Sequence, residues 1–228
     1  MTPQYTRAIA ATLLVVGAIA ACSTNRGAVR TSPQSATASP SDVAAVAKAR
    51  ADSARYPYTA ADVHFMSGMI GHHAQAIVMA RWAPTHGASA SVRTLCERII
   101  NAQQDEIATM QTWLRDRKQP VPDAVPGPMK MNMGGMEHEM LMPGMLTDEQ
   151  MKQLDQARGP EFDRLFLTFM IQHHNGAVQM VKELFGTNGA AQDELVFKFA
   201  SDVNVDQTTE IARMQRMLVA LAIGAHAP

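Results

Sequence analysis

From Tyr58 to Ala83 the chain reads YTAADVHFMSGMIGHHAQAIVMARWA. Val63, Met66, Met69, Ile70, His73, Ile77 and Ala80 recur there at intervals of three and four. That period predicts a helix, with Thr59 placed to cap its start and Pro84 to stop it. A second helix is predicted over about Ala88 to Arg117, carrying Val92, Leu95, Ile99, Ile107, Met110 and Leu114 on one stripe. The prolines and glycines of QPVPDAVPGP then break the chain. Beyond them Thr147 and Gln150 have the spacing of a capping box, and Gly159-Pro160 kinks or restarts the helix that follows. The GTNG stretch at 186–189 closes that helix, and a fourth runs from about Ala190 to Ile223. Upstream, the Ala-rich SDVAAVAKARADSARY reads as a short helix ending before Pro57. No stretch alternates at period two, so no sheet is expected.

The second half repeats the first. Met-x2-His-His-x5-Met occurs twice, at Met69 to Met79 and at Met170 to Met180, 101 positions apart. Asp62 matches Asp163, Phe65 matches Phe166, Ala76 matches Ala177, and Gln103 to Leu114 matches Gln207 to Leu218. Each half is therefore a helical hairpin, and two hairpins packed together make an all-α four-helix bundle over residues 58–222, with a linker at 119–146.

The N-terminus changes the compartment rather than the fold. One positive charge precedes an apolar run of 14 residues, AIAATLLVVGAIAA. That run is too short to span a bilayer but suits a signal segment over residues 1–21. It ends in IAAC, like a lipoprotein processing site, so Cys22 is the expected lipidation point and an exported, periplasmic or cell-surface lipoprotein the expected product. Residues 22–57, rich in Ser, Thr, Ala and Pro at their start, read as a tether that includes the short helix. Processing removes one base, Arg7, and no acid, moving the net charge from −1 to −2. With no basic stripe, nucleic acid is not an expected partner. A membrane reached through the anchor is, together with metal ions and a protein that receives them. Cys96, at helical spacing from Ile99 and Ile100, is read as a small core residue.

Methionine changes the picture most, at 17 of 228 residues. Successive helical residues turn by about 100°, so adjacent histidines cannot share a direction. His73 falls with Asp62, Met66 and Met69, and His72 with Phe65 and Met79. Met170 with His174, and His173 with Met180, reproduce the arrangement. Four buried imidazoles are costly unless their nitrogens find partners. Imidazole with thioether is a soft donor set that suits copper, Cu(I) above all, with Cu(II) or Ag(I) as further cargo. The linker stretch MKMNMGGMEHEMLMPGM adds Met129, Met131, Met133, Met136, His138, Met140, Met142 and Met145 as a secondary set. With its Pro and Gly it reads as an irregular, exposed loop. Thioethers bind without losing a proton and form no disulfides, which fits an oxidising compartment. Asp62 and Asp163 are candidates to pair with backbone or histidine, and Glu106 and Glu210 to orient imidazoles. Di-iron bundles use Glu-x-x-His, and no glutamate here has histidine three residues later. No enzymatic activity is expected. A redox-active ferritin-like metalloprotein and a metal-free scaffold are the alternatives.

The stretches DVHFMSGMIGHHAQAIVMA and EFDRLFLTFMIQHHNGAVQM, each followed by a Q..EI..M helix, resemble the CopM-like copper-binding family. That bacterial family was long filed as a domain of unknown function with a ferritin-like four-helix bundle. The resemblance covers about Tyr58 to Leu221. It implies copper binding through Met and His and a role in copper tolerance. Carried over, the motif positions are Met69, His72, His73 and Met79, then Met170, His173, His174 and Met180. The linker is longer and richer in methionine than the family pattern requires.

Overall fold

A computed structural model describes residue 39, residues 43–44 and 47–48, and residues 57–133 and 136–224. The signal segment and Cys22 lie outside the described residues. So does most of the tether, of which residues 43, 44, 47 and 48 are helical and exposed. Among the described residues no helix is long and apolar enough to cross a membrane.

Helix α1 (Ala60–Arg81) opens on a complete capping box, Thr59 bonding the Asp62 amide and Asp62 the Thr59 amide. Helix α2 (Ala90–Asp116) starts at Ser89, whose side chain accepts from the Val92 amide. After the linker come α3 (Asp148–Gln156), capped by Thr147 and Gln150, and α4 (Pro160–Gly186). Gly159 takes φ +56 and Pro160 stands at the first helical position. The chain therefore restarts there, making α3 and α4 separate helices. Helix α5 (Glu194–Gly224) begins where the Asp193 carboxylate accepts from the Leu195 and Val196 amides. The same carboxylate forms a buried ion pair with Arg117, whose guanidinium lies over the Trp113 ring.

Helix α1 packs along α2, α4 along α5, and α1 against α4, giving the all-α four-helix bundle of two repeated hairpins. The two middle helices are covered on several sides. In α1, Asp62, Phe65, Met66, Met69, Ile70, His72, His73, Ala76, Met79 and Ala80 are all buried, around nearly the whole circumference. The core divides into two clusters. One holds Met66, Met69, Ile70, Trp113, Met180 and Phe199. The other holds Met79, Leu95, Ile99, Phe162, Phe166, Met170 and Met214. Met69 and Met170 occupy the same place in the motif yet lie in different clusters. The start of each motif copy thus shares a cluster with the end of the other.

The linker departs from expectation. Two strands, β1 (Met129–Met133) and β2 (Met136–Met140), form an antiparallel sheet where no sheet was expected. The register pairs Met129 with Met140, Met131 with His138 and Met133 with Met136. Lys130 pairs with Glu139, and Asn132 with Glu137. Counted as apolar, methionine does alternate here, and two glycines in sequence join the strands, which is a hairpin signal. The neighbouring Pro and Gly had masked the alternation. Nor is the linker's end a loose loop. Met142 and Met145 are buried in the first core cluster.

Candidate metal centre

Each motif lies where α1 and α4 pass each other, so both histidines of a pair meet structure. His72 and His173 meet at the centre, ring centroids 3.8 Å apart. His72 Nε2 donates to the Pro143 carbonyl at 3.0 Å, and His173 Nε2 to the His72 carbonyl at 2.9 Å. The outer pair faces the second helix of its own hairpin. His174 Nε2 lies 2.8 Å from Glu210 Oε2, and His73 Nε2 2.8 Å from Glu106 Oε2, the latter at a poorer angle. Both glutamates therefore stand where they can orient imidazoles, and both remain partly exposed.

All four rings are fully buried, and the Nδ1 atom of every one has no hydrogen-bond partner. Where Nε2–H donates to an oxygen, a neutral imidazole keeps its lone pair on Nδ1. The layer thus holds four buried Nδ1 atoms without a partner, an arrangement that proteins seldom leave unexplained. Burial, the neighbouring His73 and a weaker influence of His174 push His72 down to about 3 against its carbonyl bond. Burial and the other three histidines hold His173 well below the ordinary imidazole range. These two rings are neutral at physiological pH, the form that binds a metal.

The layer has an acidic margin. Burial and the charges of Glu106, Asp202 and Glu210 raise the carboxyl of Asp206, so carboxylates from both hairpins stand near it. Gln103 and Gln207 sit one helical turn before the two glutamates, buried, with side-chain amide atoms lacking partners. The sequence reading passed over them, although the repeat that matched Glu106 to Glu210 also matches Gln103 to Gln207. It also passed over His64 and the segment Pro143–Leu146. The latter is stitched across the site: Gln75 exchanges two hydrogen bonds with the Leu146 backbone, and Gln172 donates to the Gly144 carbonyl.

The remaining candidates fall into distinct places. Met66, Met69, Met79 and Met170 have no solvent exposure, and Met180 almost none. Met129 is partly buried and Met140 exposed, while Met131, Met133, Met136 and His138 are placed by strand register alone. Asp62 and Asp163 bind backbone rather than imidazole. Asp62 accepts from Thr59 and, across the bundle, from the Ala191 amide at 2.7 Å. Asp163 accepts from the Ser89 amide with both oxygens at 3.2 Å. Each aspartate thereby ties down a loop of the opposite hairpin. Cys96 is buried, and burial with the Asp163 charge pushes its thiol up to about 12, so it remains an inert core thiol. Among the described residues no three His, Cys, Asp or Glu side chains gather into a ligand set.

A bundle of two repeated hairpins around a buried imidazole layer defines a class of helical proteins, and comparison places the chain within it. Residues 62–218 match the family model "Domain of unknown function (DUF305)". The chain belongs to the DUF305 family. A DUF305 protein of Streptomyces coelicolor, provisionally designated as secreted, is 28% identical, with 71% of this chain and 94% of that chain covered and a TM-score of 0.60. A DUF305 fragment from Deinococcus radiodurans is 27% identical, with 72% and 99% covered and a TM-score of 0.59. CopM in its Cu(I)-bound form is 28% identical, with 71% and 96% covered and a TM-score of 0.52. CopM has also been solved with Cu(II) and with Ag bound. An uncharacterised protein of Acanthamoeba polyphaga mimivirus is 37% identical over 57 residues, 25% of this chain and only 38% of that protein's length.

Proposed function

We propose that this protein binds Cu(I), and Ag(I) or Cu(II) less specifically, as an exported carrier or buffer of copper rather than as an enzyme. One observation carries the reading. Four buried imidazoles have Nδ1 atoms without partners, and three have Nε2 hydrogen-bonded to oxygen, with His73 Nε2 close to Glu106. Carboxylate-bound histidines presenting the other ring nitrogen are the usual way proteins prepare imidazole for a metal. Met69 and Met180 share one core cluster and Met79 and Met170 the other, and thioethers of the same motif favour a soft ion. The likeness to CopM, solved with copper and silver, supports the same cargo. The signal-like N-terminus and Cys22 support export and lipid anchoring, and the secreted designation of the Streptomyces relative supports export alone. In that setting the protein would sequester copper for tolerance or pass it to a partner.

The test is competition with a Cu(I) chelator under anaerobic conditions. Wild type is compared with a variant carrying His72, His73, His173 and His174 all changed to glutamine, which keeps hydrogen-bonding capacity in the layer. The reading expects tight binding by the wild type and an affinity lowered by at least about 100-fold in the variant. Equal affinities in two folded proteins would leave the imidazoles a structural role, the metal-free scaffold that the methionines' place in the core also permits.

A further inference from the structure

The described thioethers of the linker gather at the base of its hairpin. Met129 opens β1, Met140 closes β2, and Met142 follows two residues later with its side chain buried. Met142 Sδ lies 2.7 Å, and Met129 Sδ 3.3 Å, from the point that a Cβ on Gly68 would occupy. Glycine is a poor helix former, yet Gly68 stands inside α1. The space its missing side chain leaves is where the two sulfurs converge.

Met142 also lines a cavity of about 500 Å³ between α1, α4 and the linker's end, while Met129 and Gly68 line a second cavity that Met142 shares. The soft donors of the first cavity are His64, Met140, Met142 and Met180. Met140 is 48% exposed, which places one thioether in contact with solvent. Met180 is 5% exposed and shares a core cluster with Met66 and Met69. The cavity therefore joins a solvent-facing sulfur to a member of the doubled motif. His64 adds an imidazole that the motif does not contain.

We propose that this cavity is the port by which Cu(I) or Ag(I) enters. His64, Met140 and Met142 receive the ion, Met129 assists over Gly68, and Met180 hands it inward. The inference rests on the soft-metal reading above and adds to it a site and a direction of travel. Each step makes one bond from the ion to sulfur or nitrogen while another breaks. No electron moves, and the thioethers bind without losing a proton. Glu183 is the one carboxylate of the lining, beside four soft donors from which a divalent ion that favours oxygen has less to gain.

The test uses the full chain labelled with ¹³C at the methionine methyls and titrated with silver nitrate in chloride-free buffer. The port expects the methyls of Met129, Met140 and Met142 to shift first, and those of Met79 and Met170 only at higher ratios. Two variants probe it without emptying the core. Gly68→Ala displaces the flexible Met142 sulfur, and His64→Ala removes the imidazole. Each should weaken the first silver site about tenfold, as loss of a ligand or its support does elsewhere, while the far-ultraviolet melt shows both folded. If the Met79 and Met170 methyls shift first, or both variants bind silver as the wild type does, the port is overturned and the soft-metal reading survives. If no methionine methyl shifts at any ratio, both fall.

Discussion

A histidine in a helical core leaves two ring nitrogens to account for, and here three of the four rings engage Nε2 and none engages Nδ1. The glutamates matter because Glu210 is hydrogen-bonded to His174 Nε2 and Glu106 stands 2.8 Å from His73 Nε2, where each can orient its ring. Glu210→Gln keeps a partner for His174 but removes the charge. It should lower Cu(I) affinity by about 10–100-fold with little change in the melt, and Glu106→Gln should do the same through His73. Chelator competition measures the first and circular dichroism the second. The inner rings make a separate prediction for the metal-free protein. His72 sits at about 3 when folded against 6.5 when free, and His173 is lowered in the same direction. Below pH 6.5 the unfolded chain therefore binds protons that the folded chain does not. Stability is complete above that pH and falls as the medium is acidified from 6.5 toward 3. The slope is up to about 1.4 kcal/mol per pH unit for each ring. Urea midpoints at pH 7, 5.5 and 4.5 should decline in that order. A flat series would mean that the rings are not buried as neutral groups.

At the scale of elements, the helices were legible because their start and stop chemistry is local. Thr59, Thr147 and Pro160 act within one turn, and the observed helices begin beside them. The face each histidine takes was less legible. Angular reasoning divides α1 into two stripes, but a helix covered on nearly every side buries both. The linker was misread for a different reason. Its alternation shows only if methionine counts as apolar, and its burial depends on distant partners. Gly144 takes φ +76 where the chain crosses α4, and a Cβ on Gly176 would stand 1.9 Å from the Pro143 carbonyl oxygen. That contact is backbone against backbone, so it cannot relax by a rotamer change. Gly176→Ala should cost about 3 kcal/mol, at the upper end of overpacking effects, and should also loosen the His72–Pro143 bond. Gly186→Ala, at the end of the same helix with nothing within 4 Å of the added carbon, is the control and should be neutral or slightly stabilising. Urea midpoints compare the two. Equal midpoints would mean that the linker does not clamp α4.

At the scale of the whole molecule, buried polar contacts bind the two hairpins to each other, the Arg117–Asp193 ion pair among them. The Asp62 bond to the Ala191 amide and the Asp163 bonds to Ser89 join the loops. The imidazole layer joins the middle helices. An ion held between motif copies would be a further crosslink, because Met69 shares its cluster with Met180 and Met79 with Met170. Such an ion binds the folded chain and not the separated hairpins, so it stabilises by mass action, about 2.7 kcal/mol at 100 times its dissociation constant. For a domain of this size that is a rise of roughly 5–10 °C in the melting temperature. The hairpin allows the crosslink to be separated from capture. Replacing residues 130–139 with a short Gly-Ser connection spares Met142, Met145 and the Gln75–Leu146 bonds, on which the core depends. The shortened protein should melt where the parent does and bind fewer silver ions, yet still gain several degrees with silver, since its crosslinking sulfurs remain. Calorimetric scans with and without silver nitrate decide the matter. A shortened protein that gains nothing would place the stabilising ion in the hairpin and not between the helices.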